Sequence, residues 1–276
     1  MTGWRPAGPA LLFCPADRPD RYRKAYDRAD MVVLDLEDGV AEADKDAARA
    51  ALRDAAAGLD PARTIVRINP ADAGHRDADL ALLDALDRAG AAPSAVMLPK
   101  AAAASDVTAL APRPVIALCE TAAGVLGAPR LAEAANCAAL TWGAEDLTAD
   151  LGGRSSRGPD GAYRDVMRAA RSRVLLAAAA ARVAALDAIW TAIGDLDGLA
   201  AEAEDGAASG FAGKILIHPS HVEPVRAAYR PTSEQVDWAR RVMAGADRGP
   251  GAFTVDGAMI DAPLIAHARA ILAAAT

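Results

Sequence analysis

Charged residues recur where short aliphatic runs stop. The run Met31–Leu36 contains Asp35 and is followed by Glu37-Asp38-Gly39; Thr64–Asn69 contains Arg67; Ala95–Leu98 is followed by Pro99-Lys100; Val115–Cys119 by Glu120; Cys137–Trp142 by Gly143-Ala144-Glu145-Asp146; and Lys214–His218 ends on His218 before Pro219. A lone Asp or Lys at such a position needs no function, since strand ends meet solvent. Asp35, Glu37 and Asp38 do not suit that reading. Three carboxylates in four residues repel one another unless cations or hydrogen-bond donors neutralise them, and Arg67, Lys100 and a metal are the available neutralisers. Glu120 and Asp146 each close a strand. Two protein oxygen ligands, with water and substrate completing the shell, suit Mg²⁺. The histidines His75, His221 and His267 are scattered, which argues against a zinc site. His218 is either a site residue or a cap. Arg67 sits inside an apolar run and needs an anionic partner. That partner is Glu37 or Asp38, or else the guanidinium grips a substrate carboxylate.

The elements that must carry these residues form a simple series. Ala10–Ala16, Met31–Leu36, Thr64–Asn69, Ala95–Leu98, Val115–Cys119, Cys137–Trp142, Leu186–Thr191 and Lys214–His218 read as eight strands. Most are continuously apolar, as expected of parallel strands covered on both faces. Helical segments fall between them, among them Lys45–Ala57, Asp77–Ala89, Gly124–Ala135, Tyr163–Ala181 and Leu196–Ser209. Eight β-then-α repeats predict an α/β fold closed as a (β/α)₈ TIM barrel, with active residues at the carboxyl ends of strands. A doubly wound open sheet is the competing topology, but no glycine-rich phosphate fingerprint follows the first strand. The barrel is expected over residues 1–230. A C-terminal helical extension over 231–276 would hold a helix capped by Thr232 or Ser233, a glycine-rich stretch Gly245–Gly257 and a last helix from about Pro263 to Ala275, packed on the barrel or on a neighbouring subunit.

The 276 residues suit one such barrel, and the net charge of −7 gives no footprint for nucleic acid or an anionic membrane. No apolar stretch reaches the ~20 residues that span a bilayer. Aromatics are only 4%, so aliphatic packing must carry the core. Cys14, Cys119 and Cys137 each lie in an apolar run and read as buried hydrophobes. With no secretory pattern at the start, a reducing, cytoplasmic setting is expected.

Taken together, FCPADRP, VVLDLEDGV, RIN, MLPK, ALCET, WGAEDL, GGRSSRGPDGAYRD, KILIHP and GAMIDAP resemble the citrate lyase β-subunit family of the HpcH/HpaI aldolase/citrate lyase superfamily. The likeness spans nearly the whole chain and is strongest to stand-alone members that act as citramalyl-CoA or malyl-CoA lyases. It implies that Glu120 and Asp146 hold Mg²⁺ and that Arg67 binds the carboxylate of a 2-oxo acid. By the same resemblance Glu37 and Asp38 support the metal site, and Arg18, Lys24 and Lys100 orient substrate or bind the phosphates of an acyl-CoA. Asp261 matches an aspartate that reaches a neighbouring subunit's active site as acid/base, in a homotrimer or a related oligomer. Three other roles stay open at this point: a citrate lyase β subunit acting on an acyl-carrier-protein thioester, a thioesterase at the same site, and a sensor that binds acyl-CoA or oxo acid without turnover.

Overall fold

The computed structural model describes residues 3–247 and 252–275. Two compact units are present, Met1–Arg226 and Ala227–Thr276. In the first, eight strands close into a parallel barrel in sequential order: β1 Ala10–Pro15, β2 Met31–Asp35, β3 Thr64–Arg67, β4 Ala95–Leu98, β5 Val115–Cys119, β6 Cys137–Trp142, β7 Ala184–Asp187 and β8 Gly213–Leu216. Closure excludes the open sheet. The helices that return the chain are α1 Pro19–Arg28, α2 Lys45–Asp54, α3 Arg76–Arg88, α4 Ala104–Thr108, α5 Ala122–Ala132, α6 Ala144–Asp150, α7 Asp165–Ala181, α8 Leu196–Ser209 and α9 Val222–Tyr229. No helix among the described residues is long and apolar enough to cross a membrane.

Side chains alternate across each strand, so one parity points into the barrel. Leu11, Val33, Ile65, Met97, Leu118 and Leu186 belong to that inner cluster. The other parity packs under the helices. Both faces are therefore apolar, which is why the runs do not alternate in hydrophobicity. The last strand pairs with the first, Leu11 opposite Ile215. Asp30 fastens this closure: its Oδ2 accepts the Ala10 N–H at 2.9 Å and its Oδ1 accepts from Arg226 Nη2 at 2.7 Å.

The seventh strand lies two residues earlier than the expected start at Leu186. Helix α7 ends on Arg182 in the left-handed region, φ 58°, so the chain turns at once into β7. The run stops at Asp187, whose own carboxylate accepts the Ala188 N–H. Ile189 and Trp190 then follow outside the strand.

In the second unit, α10 Ser233–Ala246 begins at Thr232, whose hydroxyl accepts the Gln235 N–H while Gln235 returns a bond to the Thr232 N–H. Thr232 is thus the cap of the two candidates, with Glu234 in the first turn. The strands β9 Phe253–Val255 and β10 Ala258–Ile260 form a hairpin within what reads in sequence as a glycine-rich stretch. Asp256 and Gly257, φ 51° and 81°, make the two-residue turn that Asp-Gly favours. Residues 248–251 of that stretch lie outside the described residues. Helix α11 Ala262–Ala274 completes the unit, whose small core contains Ala239, Val242, Ile260 and Ala268.

All three cysteines are buried and unbridged. Burial pushes the Cys14 thiol up to about 11 and the Cys137 thiol up to about 12. Thiolate is the reactive form, so the native protein is expected to give essentially no reaction with a thiol reagent at pH 8, and three thiols after denaturation. Fast labelling of the native chain would contradict the packing role.

Candidate active site

Inward parity carries past the apolar core at the carboxyl ends of the strands. Following Met31 and Val33, the next inward residue of β2 is Asp35; following Ile65, that of β3 is Arg67; following Ile116 and Leu118, β5 is continued by Glu120; following Ala139, β6 offers Thr141. All four line a cavity of about 360 Å³ at this end of the barrel, within the usual size range of small-molecule sites.

Arg67 is 8% exposed and its principal partner is Asp35, not the expected Glu37 or Asp38. Nε and Nη2 form a two-pronged contact with Oδ1 and Oδ2 of Asp35, each 2.6 Å. The reason is register: Asp35 and Arg67 stand directly opposite one another on β2 and β3. Asp35 also accepts the N–H groups of Glu37 and Gly39, so it shapes the turn after β2. Arg67 Nη1 lies 2.9 Å from Glu37 Oε2, but that oxygen has no aligned hydrogen bond. The contact is Coulombic. Asp38 is 3.9 Å away and mostly exposed. Burial works against the Arg67 charge, yet Asp35 outweighs it and holds the group protonated. Phe13 stacks beneath the guanidinium at 4.5 Å. With Nε and Nη2 committed to Asp35, Nη1, which faces Glu37 Oε2 without a hydrogen bond, is the nitrogen left to donate to a further anion.

Lys100 joins the remaining carboxylates. Its ammonium is 2.7 Å from Glu37 Oε1, 4.0 Å from Glu120 Oε1 and 3.9 Å from Asp146 Oδ1. Its backbone is left-handed, φ 51°, a conformation that costs a non-glycine residue about 1–3 kcal/mol. That turn delivers the Lys100 N–H to Glu120 Oε1 at 2.9 Å. Burial raises the Glu37 carboxyl above its ordinary value, opposed by Arg67. Glu120, 3% exposed, is pushed up to about 8 by burial first and then by Asp146 and Glu37. Asp146 sits in the first turn of α6. Beside it, Glu145 Oε1 accepts the Ser156 hydroxyl at 2.8 Å. That bond ties α6 to the next loop, where Arg157 lies between the rings of Tyr163 and Trp190.

The buried Glu120 carboxyl, whose proton affinity burial and Asp146 raise, beside one ammonium, makes a site that favours an added cation. Gly143 keeps room for it: a Cβ there would stand 3.0 Å from Glu120 Oε2. Among the described residues no group of three or more His, Cys, Asp or Glu side chains is arranged to hold a metal ion together. The donor set is thus two carboxylates, which fits a hard ion completed by water and substrate, as Mg²⁺ commonly is, and does not fit zinc.

The other expected residues fall elsewhere. Arg18 is exposed and pairs with Asp20 at 3.4 Å; Lys24 is exposed on α1. His218 acts as a cap, its Nδ1 accepting the Ser220 N–H. Asp261 is the residue before α11, in the second unit. Asp35 and Thr141 had no assigned role in the sequence reading, although inward parity counted from Met31 and Ala139 marks both.

The sequence profile of the HpcH/HpaI aldolase/citrate lyase family matches residues 10–219, the barrel from its first strand to the turn after its last. The chain belongs to this family. A citrate lyase subunit beta-like protein of Mycobacterium tuberculosis is 54% identical over 97% of this chain and 96% of its own length. A (3S)-malyl-CoA thioesterase of Cereibacter sphaeroides is 35% identical over 96% of this chain and 94% of its own. The mitochondrial citramalyl-CoA lyase of Rattus norvegicus is 31% identical over 97% and 86%. Among solved structures, the CitE protein of M. tuberculosis in complex with magnesium, acetoacetate and coenzyme A superposes with a TM-score of 0.90 at 52% identity, covering 100% of this chain and 99% of that one.

Proposed function

We propose that this family member is a Mg²⁺-dependent carbon–carbon lyase that cleaves a β-hydroxyacyl-CoA, citramalyl-CoA or malyl-CoA, to acetyl-CoA and pyruvate or glyoxylate. The observation that carries the proposal is the placement of Glu120 and Asp146 beside Lys100, at the mouth of a cavity that Arg67 also borders. Glu120 and Asp146 would hold the ion, and Mg²⁺ bound there supplies positive charge next to the oxygen that becomes the oxo group. Arg67, oriented by Asp35, offers Nη1 to the carboxylate of the acid. A base takes the hydroxyl proton. The carbon–carbon bond then breaks, its electrons pass to the acetyl fragment as an enolate, and the enolate takes up a proton. The inner wall of the cavity is formed by Phe13, Met97, Leu118, Ile189, Ile215 and Ile217. A wall of that kind favours an acid bearing hydrogen or methyl over one bearing a second carboxylate. The relatives acting on citramalyl-CoA and malyl-CoA support the same choice.

Incubation of the pure protein with citramalyl-CoA or malyl-CoA and Mg²⁺ is expected to release acetyl-CoA with pyruvate or glyoxylate. Intact citramalate or malate with free CoA would instead establish a thioesterase. Turnover only of an acyl-carrier-protein thioester within a larger complex would make the chain a citrate lyase β subunit. Binding without any turnover would make it a sensor.

For the base we propose Asp261 of a neighbouring subunit in a homotrimer, on the strength of the match at GAMIDAP. Glu120→Gln and Asp261→Asn proteins should each be inactive alone. Mixed and reassembled at equal amounts, they should recover about a quarter of wild-type activity, because a site then needs an intact Glu120 from one chain and an intact Asp261 from the next, each present in about half of the chains. No recovery would place the base within the same chain.

A further inference from the structure

We infer that Thr141 is a substrate-binding residue whose hydroxyl donates a hydrogen bond to an oxygen of the bound 2-oxo acid. This rests on the reading of the cavity as an oxo-acid site. Thr141 follows Ala139 on the inward parity of β6, and its backbone lies in register between Leu118 on β5 and Leu186 on β7. The side chain is 1% exposed, it lines the cavity, and its Oγ1 has no hydrogen-bond partner among the described residues. Among the described residues, Thr141 is the only one lining that cavity with a hydroxyl group.

Packing does not require this hydroxyl. A valine has the same shape, and a buried unpaired hydroxyl is a cost with no return from the fold. Ala139 is the next inward residue below it, and Leu118 and Leu186 flank it in register; none of these side chains offers an acceptor. The partner must therefore come from what enters the cavity. Position indicates which part of a ligand this is. Leu118, opposite Thr141 in register, is two residues before Glu120, and Asp146 follows Thr141 by five residues across the β6–α6 turn. Thr141 thus stands one layer deeper than the two carboxylates. A small acid held at the mouth by a cation and by Arg67 would project one of its oxygens to this layer, and rotation about χ1 turns the hydroxyl toward it. Trp190 Nε1, also buried and unpaired, lies off the cavity.

The test is calorimetric titration of pyruvate and of glyoxylate, each with saturating Mg²⁺, into wild-type protein, Thr141→Val and Thr141→Ser, with thermal unfolding of each. Thr141→Val should bind the acids about 10-fold or more weakly while its Tm equals or exceeds that of the wild type. Thr141→Ser, which keeps the hydroxyl, should bind within about threefold of wild type. Wild-type affinity in Thr141→Val overturns the inference, as does an equal loss in both variants, which would make the side chain's shape the cause. If the wild type binds neither acid, the oxo-acid reading fails first and this inference with it.

Discussion

Glu120→Gln is expected to lower kcat/KM for Mg²⁺-dependent cleavage by about 10³-fold or more, the scale set by losing several kcal/mol of metal charge stabilisation, while the metal-free protein becomes more heat-stable at pH 8. The two effects share one origin. In the folded, metal-free chain the Glu120 carboxyl keeps its proton up to about pH 8, against an ordinary 4.5. The folded state therefore binds more protons than the unfolded state between those values. Stability from this group is full below the ordinary carboxylate range and is lost as pH rises to about 8. The wild-type Tm without metal should fall across that window, and Mg²⁺, which neutralises the same carboxylate, should restore it. Glutamine removes the charge and flattens most of the slope, leaving the smaller contribution of Glu37. Apparent Mg²⁺ affinity should climb with pH up to about 8, because below it the ion must displace a proton. A variant that loses activity through a drop in Tm, or a wild type whose metal affinity ignores pH over this range, would refute the assignment of Glu120 as a ligand.

Asp35→Ala should be the most destabilising single change in the site. It removes both accepting oxygens of the Arg67 fork and the acceptor of two backbone N–H groups. Breaking a buried ion pair from one side costs about 3–5 kcal/mol, which for a domain of this size lowers Tm by roughly 6–20 °C. Activity should fall as well, since a guanidinium without its orienting partner no longer fixes the direction of Nη1. The double variant Asp35→Ala/Arg67→Met separates the two consequences. It removes the stranded charge, so it should regain much of the lost Tm while remaining inactive. A double variant no more stable than Asp35→Ala alone would show that the turn after β2, not the pair, is what Asp35 supports.

Much of this molecule is legible in the sequence because its strands are short and apolar and its charges gather where they end. Seven of the eight runs coincide closely with strands for that reason. The seventh was displaced because Ala184 and Ala185 are indistinguishable by type from the alanine-rich helix before them, and only the left-handed turn at Arg182 separates the two. The β9–β10 hairpin was missed although Asp256-Gly257 is a hairpin signal, since the flanking strands have three residues each and no long alternation. In the site, Glu120 and Asp146 stand out as the charges that end their runs. Asp35 was counted among three carboxylates, but its pairing with Arg67 depends on register between strands roughly thirty residues apart in sequence, which no local pattern states. Thr141 is invisible for a different reason: threonine is an ordinary strand residue, and only its parity and its lack of a partner distinguish it.

The bond between Asp30 and Arg226, with β1 paired to β8, has a consequence for synthesis. About 200 residues separate the two strands, so at roughly 5–20 residues per second the first strand waits on the order of 10–40 s for its partner to leave the ribosome. Throughout that time Ala10–Pro15 presents one bare edge to other chains. Asp30, which accepts the Ala10 N–H on the β2 side of the strand, waits the same interval for its Arg226 partner.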